Sequence, residues 1–174
     1  MDVVAADADG EALLLDLLNT TPVVDGQPRD NLENPTFAKT WMRQHGITPN
    51  KAELAALVDA RSLLQAVVRG ERGPACLRTH LEAVTLKPVA TGEGIDWRVS
   101  TTGAGAGAVR AVLAWDALRI TSHGRLRPCA NTECQLFLID RSKPNTARWC
   151  SMAGCGNRMK ARRHYQRGRS TSTE

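Results

Sequence analysis

The chain has 174 residues, 42% apolar but only 4% aromatic, so it can bury a core built mainly of Leu, Val and Ala. Its net charge of +5 is uneven: residues 119–174 hold twelve Lys/Arg against three acids, and residues 1–118 hold eleven against fifteen. An acidic body with a basic C-terminal third suits a protein that turns one face to a polyanion, while the acidic N-terminus and its short apolar run predict neither a signal peptide nor a membrane span.

The expected location is therefore the reducing cytoplasm, or the nucleoid if DNA is bound, with no membrane partner. In that setting paired cysteines bind metal more often than they form disulfides.

In chain order, EALLLDLL (residues 11–18) predicts a buried helix, with a short buried strand as the alternative at this length. Residues 20–35 hold three prolines and a glycine and read as a loop. Residues 37–45 space Phe37, Trp41 and Met42 on one helical face, ended by Gly46 and Pro49. Asn50 followed by Glu53 is a capping-box pattern, and Leu54, Leu57, Val58, Leu64, Val67 and Val68 continue a helix to about residue 69.

Pro74 opens another predicted helix, to about Thr85, with Leu77, Leu81 and Val84 inward and Cys76 as an inert, partly buried thiol. The runs 86–91 and 95–101 flank Gly92-Glu93-Gly94 and predict a β-hairpin. TGAGAGA (residues 102–108) lacks the Lys-Ser/Thr of a phosphate-binding P-loop and reads as a flexible lead into a helix over about 106–120.

The chemistry concentrates near the C-terminus. Cys129 and Cys134, then Cys150 and Cys155, form two pairs with four residues inside each and fifteen between. Two short pairs joined by a longer loop make a tetrahedral thiolate site cheaply, and four cysteines leave no open position, so the expected metal is one structural zinc. Residues 135–140 read as a strand with Leu136 or Phe137 available to cover the metal, residues 141–145 as a turn, and residues 146–149 as the returning arm. Gly154 and Gly156 are expected to let backbone amides approach the Cys155 sulfur. A knuckle, a hairpin and a helix after the last ligand give a treble-clef-like plan. Zinc of this type supplies roughly 10–16 kcal/mol of apparent free energy, enough to fold a module too small for its own core.

A basic run follows the last cysteine. Arg158, Lys160, Arg162, Arg163 and Arg167, together with Arg141, Lys143 and Arg148, are the candidate nucleic-acid contacts. On a helix, Lys160, Arg163 and Arg167 share one side and Arg158 and Arg162 another. Zinc with four thiolates contributes −2, so the C-terminal third stays strongly basic. If six phosphates are contacted, log K against log salt should slope at about −5.

The stretch resembles the CGNR zinc finger, named for the tetrapeptide that stands here as Cys155-Gly156-Asn157-Arg158. Its flanks are also present: Phe137, Asp140 and Ser142 of FLIDRS, the RWCSM of Arg148 to Met152, and Lys160. One departure is Ala147 before Arg148, where many relatives carry a second Arg. Upstream, LLLDLLNT (residues 13–20) and FAKTWMRQHGI (residues 37–47) look like points of the ABATE domain, which normally precedes this finger. The resemblance implies a bacterial stress-induced transcriptional regulator.

The expected fold class is α+β. Residues 1–122 would form a mostly helical domain with a small hairpin, which senses a signal or forms a homodimer, and residues 123–174 the zinc finger. The expected function is DNA binding through the phosphate backbone. The alternative is a zinc-scaffolded module for protein or RNA interaction. No Ser/His/Asp set or carboxylate pair stands out, so no enzyme is expected.

Overall fold

The leucines of the first helix set the architecture. In the computed structural model, which describes residues 8–101 and 104–170, helix α1 (Ala8–Leu18) holds Leu13, Leu14, Leu17 and Leu18 entirely out of solvent. Leucines at i, i+1, i+4 and i+5 make a stripe wide enough to be covered from two directions. Accordingly α1 packs against both α3 (Lys51–Val68) and α4 (Ala106–Thr121). Helix α2 (Pro35–Gln44) adds Ala38, Trp41 and Met42 to the same core, whereas Phe37 is 40% exposed and does not share their burial.

Helix starts follow local hydrogen bonding. The Asn34 side chain accepts from the Thr36 and Phe37 amides at 3.0 and 3.1 Å, with Pro35 in the first turn. The Asn50 side chain accepts from the Glu53 amide at 2.8 Å. Only half of the predicted capping box forms, however. The Glu53 carboxylate reaches instead to the first turn of α4, where it accepts from the Gly105 and Gly107 amides at 2.6 Å each. The glycine-rich lead is thus pinned where it is described, from residue 104 onward; residues 102–103 lie outside the described residues. A buried carboxylate at a helix N-terminus satisfies orphan amides and complements the dipole. It also fills the place where a phosphate would sit.

Three regions differ from the sequence expectation. The segment 20–35 is more than a loop: β1 (Val23–Val24) and β2 (Gln27–Pro28) pair antiparallel, and a 3-10 turn follows at Asn31–Glu33. Asp30 caps that turn and also receives the buried Arg61 guanidinium at 2.7 and 2.5 Å, a long-range tie invisible to periodicity. The helix expected from Pro74 is a 3-10 segment, Pro74–His80, which buries Leu77 but leaves Leu81 exposed. Val84 already heads a strand. The hairpin itself forms as expected, from β3 (Val84–Thr91) and β4 (Gly94–Thr101).

The C-terminal hairpin pairs β5 (Leu126–Pro128) with β6 (Phe137–Ile139). The expected returning arm, residues 146–149, is not a strand; its backbone-to-backbone tie among the described residues is Ala130 N–H to the Arg148 carbonyl, at 2.8 Å. The partner of residues 137–139 lies upstream instead. The result is an α+β fold, about half helical, with small antiparallel strand pairs. No helix among the described residues is long and apolar enough to cross a membrane.

Candidate metal centre and nucleic-acid interface

The first cysteine pair lies at the turn of the β5–β6 hairpin. Cys129 follows β5, its amide donating to the Leu136 carbonyl at 2.8 Å, and the Cys134 amide donates to the Asn131 carbonyl at 2.8 Å. Of the second pair, Cys150 precedes a single π-type turn, Met152–Gly156, and Cys155 lies within it, after which helix α5 (Asn157–Ser170) begins. The Ser151 side chain caps this turn by accepting from Gly154 N–H at 3.2 Å.

The loop that delivers Cys150 is folded by one carboxylate. Asp140, fully shielded, accepts from the Ser142 amide at 2.8 Å, the Ala147 amide at 2.7 Å and the Arg127 guanidinium at 2.8 Å. Hydrogen bonding with Ser142 foremost holds its carboxyl below the usual range against the opposing push of burial, aided by the Ala147 amide and the Arg127 charge. This is a physical reason for Asp-x-Ser in the finger. The Asp spans seven residues of loop and hands the chain to Arg148, Trp149 and Cys150.

The four Sγ atoms of Cys129, Cys134, Cys150 and Cys155 all lie within 4.8 Å of one another. Four sulfurs each about 2.3 Å from a common zinc stand about 3.8 Å apart in a tetrahedron. The Cys134–Cys150 and Cys150–Cys155 separations are both 3.8 Å. Burial and the neighbouring sulfurs push the Cys134 thiol up to about 11, and Cys150 is pushed up by burial and the Cys134 and Cys129 sulfurs. Crowded thiols resist ionising together, and a dication supplies what they lack. The donor set therefore fits one structural zinc, held on all four sides by thiolate.

Two further donors orient the sulfurs. The fully buried Asn131 donates to Cys155 Sγ at 3.5 Å, and the Cys150 amide donates to Cys129 Sγ at 3.5 Å. These are the close amide contacts in place of the expected ones from Gly154 and Gly156, whose amides bond to Ser151. Gly156 has a different necessity: a Cβ there would stand 2.8 Å from Met152 Sδ and 3.3 Å from Trp149 Cδ1. Nothing in the sequence spacing marks Asn131 for this role.

Phe137 does not cover the metal. It is buried in the core of the helical body with the α1 leucines, and the Arg69 guanidinium lies 4.8 Å from its ring centroid. Leu136 faces the zinc side, lining an 830 Å³ groove with Cys134, Cys150, Cys155 and Arg158. The finger is seated on the body by Asn19, which exchanges two hydrogen bonds with the Phe137 backbone, and by Arg141, which pairs with Glu11 at 2.6 Å.

The candidate nucleic-acid residues fall into separate groups. Arg148, Lys160, Arg163 and Arg167 line one 290 Å³ cleft together with Trp149 and Met159. The Arg148 guanidinium lies 5.3 Å from the Trp149 ring centroid, so that indole packs with the basic group at the edge of the finger. Arg158 faces the groove beside the cysteines. Arg162 pairs with Glu133 at 2.7 Å, and Arg141 is engaged with Glu11. Lys143 is exposed on the 141–149 loop. The side chains of His164 and Arg169 lie outside the described residues.

Residues 11–127 match the family model ABATE, described as "putative stress-induced transcription regulator", and residues 125–168 match the CGNR zinc finger. No curated protein matches the chain at a significant level. The longer match takes in well over half of the sequence and runs directly into the shorter one. With the thiolate tetrahedron at Cys129, Cys134, Cys150 and Cys155, these matches make the chain a member of the ABATE family carrying a C-terminal CGNR zinc finger.

Proposed function

We propose that this protein is a DNA-binding transcriptional regulator, in which residues 123–174 contact the phosphate backbone and residues 1–122 sense or dimerise. One observation carries the reading. Arg148 from the loop before Cys150 and Lys160, Arg163 and Arg167 from α5 converge on a single cleft, and α5 is itself anchored by the zinc. Four cations from two segments make a concave cationic surface that a solvated helix alone does not offer. Arginine adds bidentate geometry toward phosphate. The same arrangement supports backbone contact but carries no base-reading information. Arg162 and Arg141, which already hold acidic partners, take a smaller part.

The test is fluorescence anisotropy of the zinc-loaded chain on mixed-sequence duplex, single-stranded DNA and RNA across a salt series. Duplex affinity with a steep salt slope is expected. Arg163→Ala with Arg167→Ala should make that slope shallower by about 2. Arg141→Ala should leave it nearly unchanged. Absence of binding to any of the three polymers at low salt overturns the proposal, and a preference for RNA replaces DNA as the partner.

A further inference from the structure

The β3–β4 ribbon stands apart from the core and the zinc finger. Among the described residues, the hydrophobic core draws no member from either strand. The register runs unbroken from Val84↔Thr101 to Thr91↔Gly94 and sorts the side chains onto two faces. Directly paired residues share a face, and so does every second pair. Leu86 with Val99, Pro88 with Trp97, and Ala90 with Ile95 therefore make one face. Lys87 with Arg98 and Val89 with Asp96 belong to the other. The first face carries no charge, yet Ile95 is 67% exposed, Trp97 50%, Leu86 41% and Val99 36%. A two-stranded ribbon is marginal by itself in water, and a contiguous exposed apolar face marks an interaction surface.

Charge and edge chemistry indicate what covers it. The ribbon holds Lys87 and Arg98 against Glu93 and Asp96, a net of zero, so it offers no electrostatic bias toward an acidic, basic or polyanionic partner. Those charges lie on the opposite face or in the turn. Two copies of the apolar face can thus meet without repulsion and without burying an ion. Growth through the β3 edge is obstructed. Counting from the Thr91↔Gly94 pair beside the two-residue turn, Pro88 falls at a non-hydrogen-bonded position, where an amide would point outward. Proline removes one donor from the middle of that edge, between the outward amides of Leu86 and Ala90. Face-to-face stacking remains open, at the roughly 10 Å spacing of packed sheets.

We propose that the apolar face of the β3–β4 ribbon is the surface on which two copies of this chain associate about a two-fold axis, with Trp97 and Ile95 of each packing on the ribbon of the other. An isologous contact needs the same patch on both copies, and this face supplies it. Its four exposed apolar side chains offer on the order of 400 Å² per copy, about half of what a partner gives to a standard-size interface. The dimer is therefore weak and concentration dependent.

The proposal does not depend on nucleic-acid binding and is tested without it. Sedimentation velocity of the zinc-loaded full chain, from low micromolar to near-millimolar concentration, should show the mass rising from 18.9 kDa toward twice that value. Ile95→Glu combined with Trp97→Glu should weaken association about a hundredfold, and Lys87→Ala on the opposite face should leave it unchanged. Hydrogen exchange of the unmodified chain should show protection of residues 84–101 rising with concentration. A chain that stays monomeric throughout, a dimer that survives the double substitution, or concentration-dependent protection mapping to another element overturns the proposal.

Discussion

Asn19 holds Phe137 by both of its backbone groups: its Oδ1 accepts from the Phe137 amide at 2.7 Å and its Nδ2 donates to the Phe137 carbonyl at 3.2 Å. The side chain of one residue thus stands in for a missing strand beside β6. The ring of Phe137 enters the core between the helices, so one residue of the finger is held by the helical body through both its backbone and its side chain. Asn19→Ala leaves two backbone groups without partners and should cost about 2–4 kcal/mol in urea unfolding. Zinc content per chain should stay at one, because no cysteine contact is touched. Loss of zinc in this variant would show that the seat and the metal site are a single unit.

Glu53 and Gly107 form a second coupled pair. The carboxylate takes the Gly105 and Gly107 amides, and a Cβ at Gly107 would stand 2.6 Å from Ile47 Cδ1. Glu53→Ala should lower stability by about 2–3 kcal/mol, since two charge-assisted bonds at a buried helix start are lost. Gly107→Ala should cost about 1–3 kcal/mol by overpacking. Circular dichroism melts of both variants check the order of magnitude. Melts equal to the unmodified chain's would show that the α4 terminus is not held by this carboxylate.

Arg61 is 4% exposed and forks onto Asp30. Burial raises the Asp30 pKa, but the Arg61 bonds and charge and the Leu32 amide bring it below its ordinary value. Arg61→Met strands a partly buried carboxylate and should destabilise by about 3–5 kcal/mol. Adding Asp30→Leu should recover much of that loss, because the penalty comes from the unpaired charge. A double variant as unstable as the single would refute this account.

Asn131 tests the zinc surroundings. Its amide supports Cys155 Sγ from a fully buried position. Outer-shell partners of this kind typically change metal affinity by about 10–100-fold, and Asn131→Ala should fall in that range in a chelator competition. Cys155→Ala, by contrast, should abolish zinc binding and unfold the finger, and should lower the helical body's melt as well, because Phe137 belongs to its core.

His45 gives a pH dependence. Burial foremost, then the nearby Arg110, lowers its pKa below the ordinary 6.5, although Asp16 at 3.2 Å opposes this. The native state therefore holds His45 neutral in a window where the unfolded chain takes up a proton. Its contribution is complete above about pH 6.5 and declines as the pH falls toward the folded value. His45→Gln should flatten the melting temperature between about pH 7 and 5 at saturating zinc. A profile as steep as the unmodified chain's would assign the dependence to another group.

The sequence by itself determined the local and the countable features. Cysteine spacing implied the thiolate tetrahedron, because short pairs close small rings whatever surrounds them. Asn50 before Glu53 marked a helix start, and two alternating runs around Gly-Glu-Gly marked the β3–β4 hairpin, because caps and turns are decided within a few residues. Tertiary structure decided where long-range partners meet. Nothing in the spacing says that Glu53 serves α4 rather than its own helix, that Arg61 finds Asp30, or that Phe137 leaves the zinc for the helical core. Each of those choices depends on which buried polar or aromatic group is available after packing. The same holds for the basic run. Its charge was legible at once, but only the fold shows that Arg141 and Arg162 hold acidic partners and that Arg148, Lys160, Arg163 and Arg167 gather beside Trp149.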